Sequence, residues 1–210
     1  MKKVFVTGMA MATLSGCASI DMQSYVDPQF RSTQYSSLMV EVAVTDLKAK
    51  TLIEERVCKQ INLKLSSVQC IKAIDTFAPT REYDQQTWQQ TFAKTGAQAR
   101  LQIELLSQQR NISHHTTTHT EPSYLSNQSS YSTPTTSYTS RTTTVHLVDT
   151  FKITLFDKGD QSKVMVATGA INAQQGMLNH NKTMASLISK RITKELLNKG
   201  LVKQVSSNPK

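Results

Sequence analysis

Residues 38–74 read LMVEVAVTDLKAKTLIEERVCKQINLKLSSVQCIKAI, and this stretch decides the fold. Leu38 to Val44 is an apolar run rich in β-branched residues and broken only by Glu41, the composition of a buried strand. Thr51-Leu52-Ile53-Glu54 has the capping-box form, in which the Thr51 side chain accepts from the Glu54 amide, so a helix is predicted to start there. Ile53, Val57, Ile61 and Leu65 recur every four residues and carry that helix to about Ser66 with one buried stripe. Val68 to Ile74 is a second strand, closed off by Pro79. Strand, helix and strand in this order predict a sheet with helices packed on it.

The chain downstream repeats the pattern. Asp84 is a good N-cap for a short helix in which Trp88 and Phe92 lie four apart, with Gly96 placed as its stop. Ala99, Leu101, Ile103 and Leu105 alternate with polar residues, as do Val145, Leu147, Phe151, Ile153 and Leu155 farther on, so both segments are half-buried strands. Asp157-Lys158-Gly159-Asp160 reads as a hairpin turn leading into a strand over Lys163 to Ile171. Met184, Leu187, Ile188, Ile192 and Leu196 mark a last helix, stopped by Gly200, after which Leu201 and Val202 tuck back onto the sheet. The expected fold is α/β (α+β), a single mixed sheet in the order β-α-β-α-β-β-β-α with helices packed on it and a long polar hairpin excursion. One domain spans 38–203. Residues 17–37, rich in Ser and Gln, read as a flexible tether, and 204–210 as a tail.

Composition agrees with a folded protein. Of 210 residues 38% are apolar and 19% charged, which permits a core. The formal charge of +9 falls to +7 when Lys2 and Lys3 leave with the leader described next. The charge is scattered without long runs, which argues against a nucleic-acid-binding arm. Five His and three Cys are too few for a metal-rich or disulfide-rich class.

Met1-Lys2-Lys3 is a cationic start, and Val4 to Leu14 is an uncharged, mostly apolar run of eleven residues. A bilayer span needs about 20 residues, so residues 1–16 read as a signal peptide. The run ends in Leu14-Ser15-Gly16-Cys17, which resembles the lipobox of bacterial lipoproteins. That resemblance implies diacylglycerol on the Cys17 thiol, cleavage before it and acylation of the new amine, hence a permanent palmitate-type membrane anchor. Ala18 rather than Asp follows Cys17, which by resemblance to the sorting rule of enteric bacteria implies the outer membrane, with the domain facing the periplasm. Cys58 and Cys70 remain in an oxidising compartment. A strand folded back along the helix brings them to similar heights, so they form either one disulfide or two buried thiols.

At the level of fold, the chain is similar to the periplasmic α/β domain of lipoprotein activators of penicillin-binding proteins, of the curli secretion channel lipoprotein and of the Tol-system propeller protein. It resembles more closely a broad, functionally uncharacterised group of proteobacterial outer-membrane lipoproteins. The residues that carry this likeness are Ile53-Glu54, Pro79, Ala97-Gln98-Ala99, Leu155-Phe156-Asp157 and Asn198-Lys199-Gly200-Leu201. They are structural motifs and imply fold more than function.

Between Ser113 and Thr144, 19 of 32 residues are Ser or Thr, so the segment has almost nothing to bury. Tyr124, Tyr131 and Tyr138 stand seven apart within it. It is either a mobile loop or an arm that continues the flanking hairpin and offers its Tyr rings to a glycan or a partner strand. Pro122 and Pro134 interrupt any continuous ladder, and the absence of apolar alternation over 116–144 argues against a membrane-inserted hairpin. His114, His115 and His119 are weak candidates for a metal, lacking nearby acidic or thiolate partners other than Glu121. His146 and His180 read as surface residues.

Catalytic signatures are absent: no nucleophile elbow, no His-Glu-x-x-His and no phosphate loop. Asp157 and Asp160 belong to a turn, and Asp149 marks a bulge, an edge position or a buried carboxylate. Lys190-Arg191 and Lys194 form a basic helix face, either solvated or turned to anionic head groups or peptidoglycan. The expected protein is a non-enzymatic accessory factor of an envelope complex, regulating peptidoglycan synthesis or surface assembly. It needs no cofactor and binds no nucleic acid. Its expected contacts are the membrane, an envelope protein or peptidoglycan, and further copies of itself. The alternative is a subunit of an oligomeric outer-membrane export channel.

Overall fold

The computed structural model describes residues 18–78, 83–122, 135–158, 161–174 and 180–203. Its elements are β1 (Ser19–Val26), β2 (Ser37–Ala43), α1 (Leu47–Lys64), β3 (Gln69–Lys72), α2 (Gln85–Thr95), β4 (Ala99–Pro122), β5 (Thr135–Asp157), β6 (Lys163–Gln174) and α3 (His180–Asn198). Six strands make one open mixed sheet in the order β1-β6-β5-β4-β2-β3. Strand β2 runs parallel to both its neighbours, and the other pairings are antiparallel.

The apolar run of β2 is continuous because both of its faces are covered. Leu38 and Val40 join the main core under α1 and α3, while Met39 points to the other face and packs with Ala73, Phe77, Trp88, Phe92 and Ala97 beneath α2. At the edge of this second core, Arg100 of β4 is held between the rings of Trp88 and Phe156, 4.4 Å from each centroid, and pairs with Glu41 at 3.3 Å. Burial pushes Arg100 below and Glu41 above their ordinary values, outweighing their mutual attraction.

Local signals set most boundaries. Asp84 accepts from the Thr87 amide at 2.8 Å, and Gly96 closes α2 at φ +72°, a conformation that a side chain would strain. Gly200 ends α3 in the same way at φ +70°, and Leu201 is then buried, its carbonyl accepting from the Tyr35 amide at 2.8 Å. Of the two alternatives for Cys58 and Cys70, the structure has the disulfide, joining Cys58 of α1 to Cys70 of β3.

Three expectations are corrected. Helix α1 begins a turn earlier than the Thr51 signal, because Asp46 accepts from the Lys48 amide at 2.9 Å and the added turn buries Ala49. The Thr51 hydroxyl instead donates back to the Leu47 carbonyl. Strand β4 runs far beyond Leu105, as the next subsection describes. Most consequentially, the span read as a tether over 17–37 is largely structured: Ser19–Val26 is the edge strand β1, antiparallel to β6. Only Met22 is buried there, with Ile20 and Val26 partly so, which is why the alternation is faint in sequence. Helix α3 fastens β1 from above. Arg191 donates to the Met22 carbonyl at 3.1 Å, and the Ser24 hydroxyl donates to Glu195 at 2.7 Å.

Candidate partner-binding arm

Strand β4 loses its neighbour β2 after Glu104, and β5 gains β6 only from His146 onward. Between these limits the two central strands continue alone. The ribbon runs through eleven consecutive pairs, from Ile112↔Val145 to Pro122↔Thr135, and at about 3.4 Å per residue it extends roughly 34 Å. A bulge at Leu106, between the Leu105 and Ser107 pairings, marks its base and leaves Leu106 57% exposed. The segment expected to be either a loop or a hairpin arm is therefore an arm over 113–122 and 135–144. Residues 123–134 lie outside the described residues, and with them Tyr124, Tyr131 and Pro134.

The chemistry of the ribbon follows from its alternation. On the face continuous with the helix side, Ile112 and Val145 form the last apolar pair, followed by His114 with Thr143 and Thr116 with Arg141. The other face carries His115 with Thr142, Thr117 with Ser140 and His119 with Tyr138. The His114 ring nitrogen is 3.1 Å from the Thr143 hydroxyl. The Tyr138 ring, half exposed, stacks on His119 with centroids 5.5 Å apart. Thr residues supply the extended propensity, and nearly every described side chain of the ribbon beyond Val145 is exposed. A two-stranded ribbon gains little stability of its own without an apolar face, so this one depends on being rooted in the sheet.

The extended backbone also sets the spacing of the three histidines. His114 and His115 point to opposite faces, and His115 and His119 are separated by four residues of strand, about 14 Å, beyond the reach of one ion. Among the described residues no group of three His, Cys, Asp or Glu side chains could hold a metal ion.

Carboxylates elsewhere are built into the fold. Glu54 of α1 is fully buried, its two oxygens accepting from the backbone amides of Val42 (3.2 Å) and Ile74 (2.9 Å). Burial raises its carboxyl above the ordinary range, outweighing those two donors. The signal was legible only as a structural motif, since nothing in Ile53-Glu54 announces which backbone it will grip. Asp157 accepts from the Tyr35 hydroxyl at 2.9 Å. Asp149 is a buried carboxylate, level with Gln108 and Ile171 and next to the residue opposite the bulge. One concave feature is a cavity of about 190 Å³ between α1 and α3, lined in part by Val42, Ala49, Ile53, Leu105, Phe151 and Met184. Asp46, Gln108 and Asn181 add polar groups to its lining, which holds one carboxylate and no basic side chain to pair with it.

No helix among the described residues is long and apolar enough to cross a membrane. Cys17 lies outside the described residues. No protein-family model matches the chain, and no curated protein sequence resembles it. Among solved structures it is similar to the PelC dodecamer from Paraburkholderia phytofirmans, with 11% identity and a TM-score of 0.44 over 90% of this chain and 100% of that one. It is also similar to the lipoprotein GNA1162 from Neisseria meningitidis (10% identity, TM-score 0.41, 78% and 99% of the two chains). A third is a minor lipoprotein from Acinetobacter baumannii (12%, 0.35, 80% and 98%). Bacterial lipoproteins are thus among the structures similar to this chain.

Proposed function

We propose that the chain is a non-enzymatic lipoprotein of the outer membrane, anchored through Cys17, that serves an envelope complex as an accessory factor and docks through the β4–β5 arm. The observation that carries this reading is the ribbon itself: eleven pairs of mostly Ser, Thr, His and Tyr residues, rooted in the central strands and polar on both faces beyond Ile112 and Val145. Its outer edges offer backbone donors and acceptors to an added strand, and its hydroxyls and the Tyr138–His119 stack suit a polar partner or a glycan. The lipobox resemblance at Leu14–Cys17 supports the anchor, and the structural engagement of Glu54 and Asp157 supports a role without catalysis.

The test is photocrosslinking in cells from positions 138 and 116, one on each face of the arm, with mass spectrometry of the adducts. One dominant envelope protein or peptidoglycan adduct supports the reading and names the complex. Silence at both positions overturns it. Labelled palmitate, incorporated by the chain and lost with Cys17→Ser, tests the anchor separately. The free edges of the arm favour a second reading, a ring-forming subunit of an export channel whose arms pair between copies. Lipidated protein that stays monomeric in detergent excludes that reading.

A further inference from the structure

The charge that looks scattered along the sequence is gathered by the fold. At about 100° per residue, Lys48 and Lys59 fall opposite the buried Ile53–Val57–Ile61 stripe of α1, and Lys190 and Lys194 fall opposite the buried Ile188–Ile192 stripe of α3. All four are exposed, as is Arg56 on the flank of α1. The two helices pack side by side on one face of the sheet, so these cations share a single outer layer. Against them the helices expose one acid, Glu55, since Glu54 and Glu195 are buried. The opposite sheet face instead pairs its charges, Arg100 with Glu41 and Lys152 with Glu104. Arg191, adjacent in sequence to Lys190, is turned inward onto Glu195 and the Met22 carbonyl and does not belong to the layer.

Two further features say what this layer meets. Leu63 lies on the same outer side of α1, one turn past Lys59, and is 68% exposed, which gives the basic surface an apolar point of the kind that enters a lipid interface. The chain also enters the domain close by, in the edge strand of the sheet one layer beneath those cations. Strand β1 is fastened beneath α3 and starts at Ser19, two residues after Cys17, a reach of about 7 Å. An anchor there has no slack with which to hold the domain off the bilayer.

We propose that the outer surface of α1 and α3 is a membrane-apposed face that binds anionic phospholipid head groups through Lys48, Arg56, Lys59, Lys190 and Lys194. Laid this way, the sheet is parallel to the bilayer and the arm runs out along the membrane plane, where it meets other membrane-bound components. The inference adds an orientation to the anchored reading above and is testable without the anchor.

The protein for the test is residues 18–210, which hold every described element and the whole core but lack Cys17. It is sedimented with phosphatidylcholine vesicles, pure or containing roughly one third phosphatidylglycerol, at about 50 mM and about 300 mM salt. Binding is expected to the anionic vesicles alone and to weaken with salt. Each removed charge is worth about fivefold in partition, so Lys48→Glu/Lys59→Glu/Lys190→Glu/Lys194→Glu lowers it about six-hundredfold or more. Far-UV circular dichroism and thermal melting verify that this surface variant is folded. Absent binding, equal binding to both vesicles, or unchanged binding by the variant overturns the proposal. So does lysine-dependent binding to peptidoglycan sacculi without binding to vesicles, which assigns the face to the wall. Because the anchor is missing throughout, failure counts against the face and leaves the lipidation test untouched.

Discussion

Glu54→Gln separates the two effects that act on the buried carboxylate. The wild-type side chain receives two backbone N–H groups, from Val42 at the end of β2 and from Ile74 after β3. Glutamine keeps one accepting oxygen and turns an NH2 group toward the second amide, leaving that amide without an acceptor at about 1–3 kcal/mol. Glu54→Ala strands both amides and opens a void, for about 3–5 kcal/mol. The pH dependence has a definite sign. Burial raises the Glu54 carboxyl above its ordinary value of 4.5, so the folded chain holds this proton more tightly than the unfolded chain. The stability it contributes is fully present below pH 4.5 and is lost as pH rises through the folded value, at about 1.4 kcal/mol per unit of upward displacement. Glutamine does not titrate. The stability gap between wild type and Glu54→Gln therefore narrows from pH 4 to pH 8, while contributions from other groups cancel in the difference. The assay is urea unfolding at several pH values, followed by the fluorescence of Trp88, the single tryptophan, which sits in the core under α2 next to Phe77. At about 2 kcal/mol per molar urea, a 2 kcal/mol loss moves the midpoint by about 1 M. A gap that widens with pH refutes the reasoning, as does a glutamine variant equal to wild type throughout.

Removing the disulfide by Cys58→Ser/Cys70→Ser frees a loop with a sequence separation of 12 and is expected to lower unfolding stability by about 3 kcal/mol, measured by denaturant titration of oxidised wild type against the variant. Gly169→Ala places a methyl group 2.6 Å from both the Asp21 carbonyl oxygen and the Phe151 ring, so about 1–3 kcal/mol is lost and the melting temperature falls by several degrees. Excising residues 113–144 in favour of a two-residue Asn-Gly turn removes ribbon but no core, and the melting temperature is expected to stay within a few degrees of wild type while the crosslinks from the arm disappear. Deleting residues 18–26 is expected to do the opposite. It uncovers the β6 edge, leaves Arg191 and Glu195 without Met22 and Ser24, and lowers the melting temperature by ten degrees or more, on the order of several kcal/mol.

The arm shows where reading residues along the chain stops. Composition alone establishes that 113–144 cannot be core, but extended ribbon and loop have the same content of Thr and Ser, and only the register of β4 on β5 places Tyr138 over His119 and parts His114 from His115. Strand β1 was hidden for a related reason. One buried residue in eight is too weak a period to read, and the strand exists because β6 presents an edge for it to cover.

What the sequence by itself determined are the features whose cause lies within a few residues. Asp84 and Gly96 bound α2 because a cap and a left-handed turn are local chemistry, the alternation from Phe151 to Leu155 announces a half-buried strand, and Cys58 and Cys70 sit within bonding reach once helix and strand fold back. What only the tertiary structure decided depends on which distant segments become neighbours. The grip of Glu54 on Val42 and Ile74, the Arg100 sandwich between Trp88 and Phe156, and the gathering of Lys48, Lys59, Lys190 and Lys194 into one layer all follow from pairing and packing across the chain. Hydrogen bonds and charges act through space, and separation along the chain does not reveal that distance.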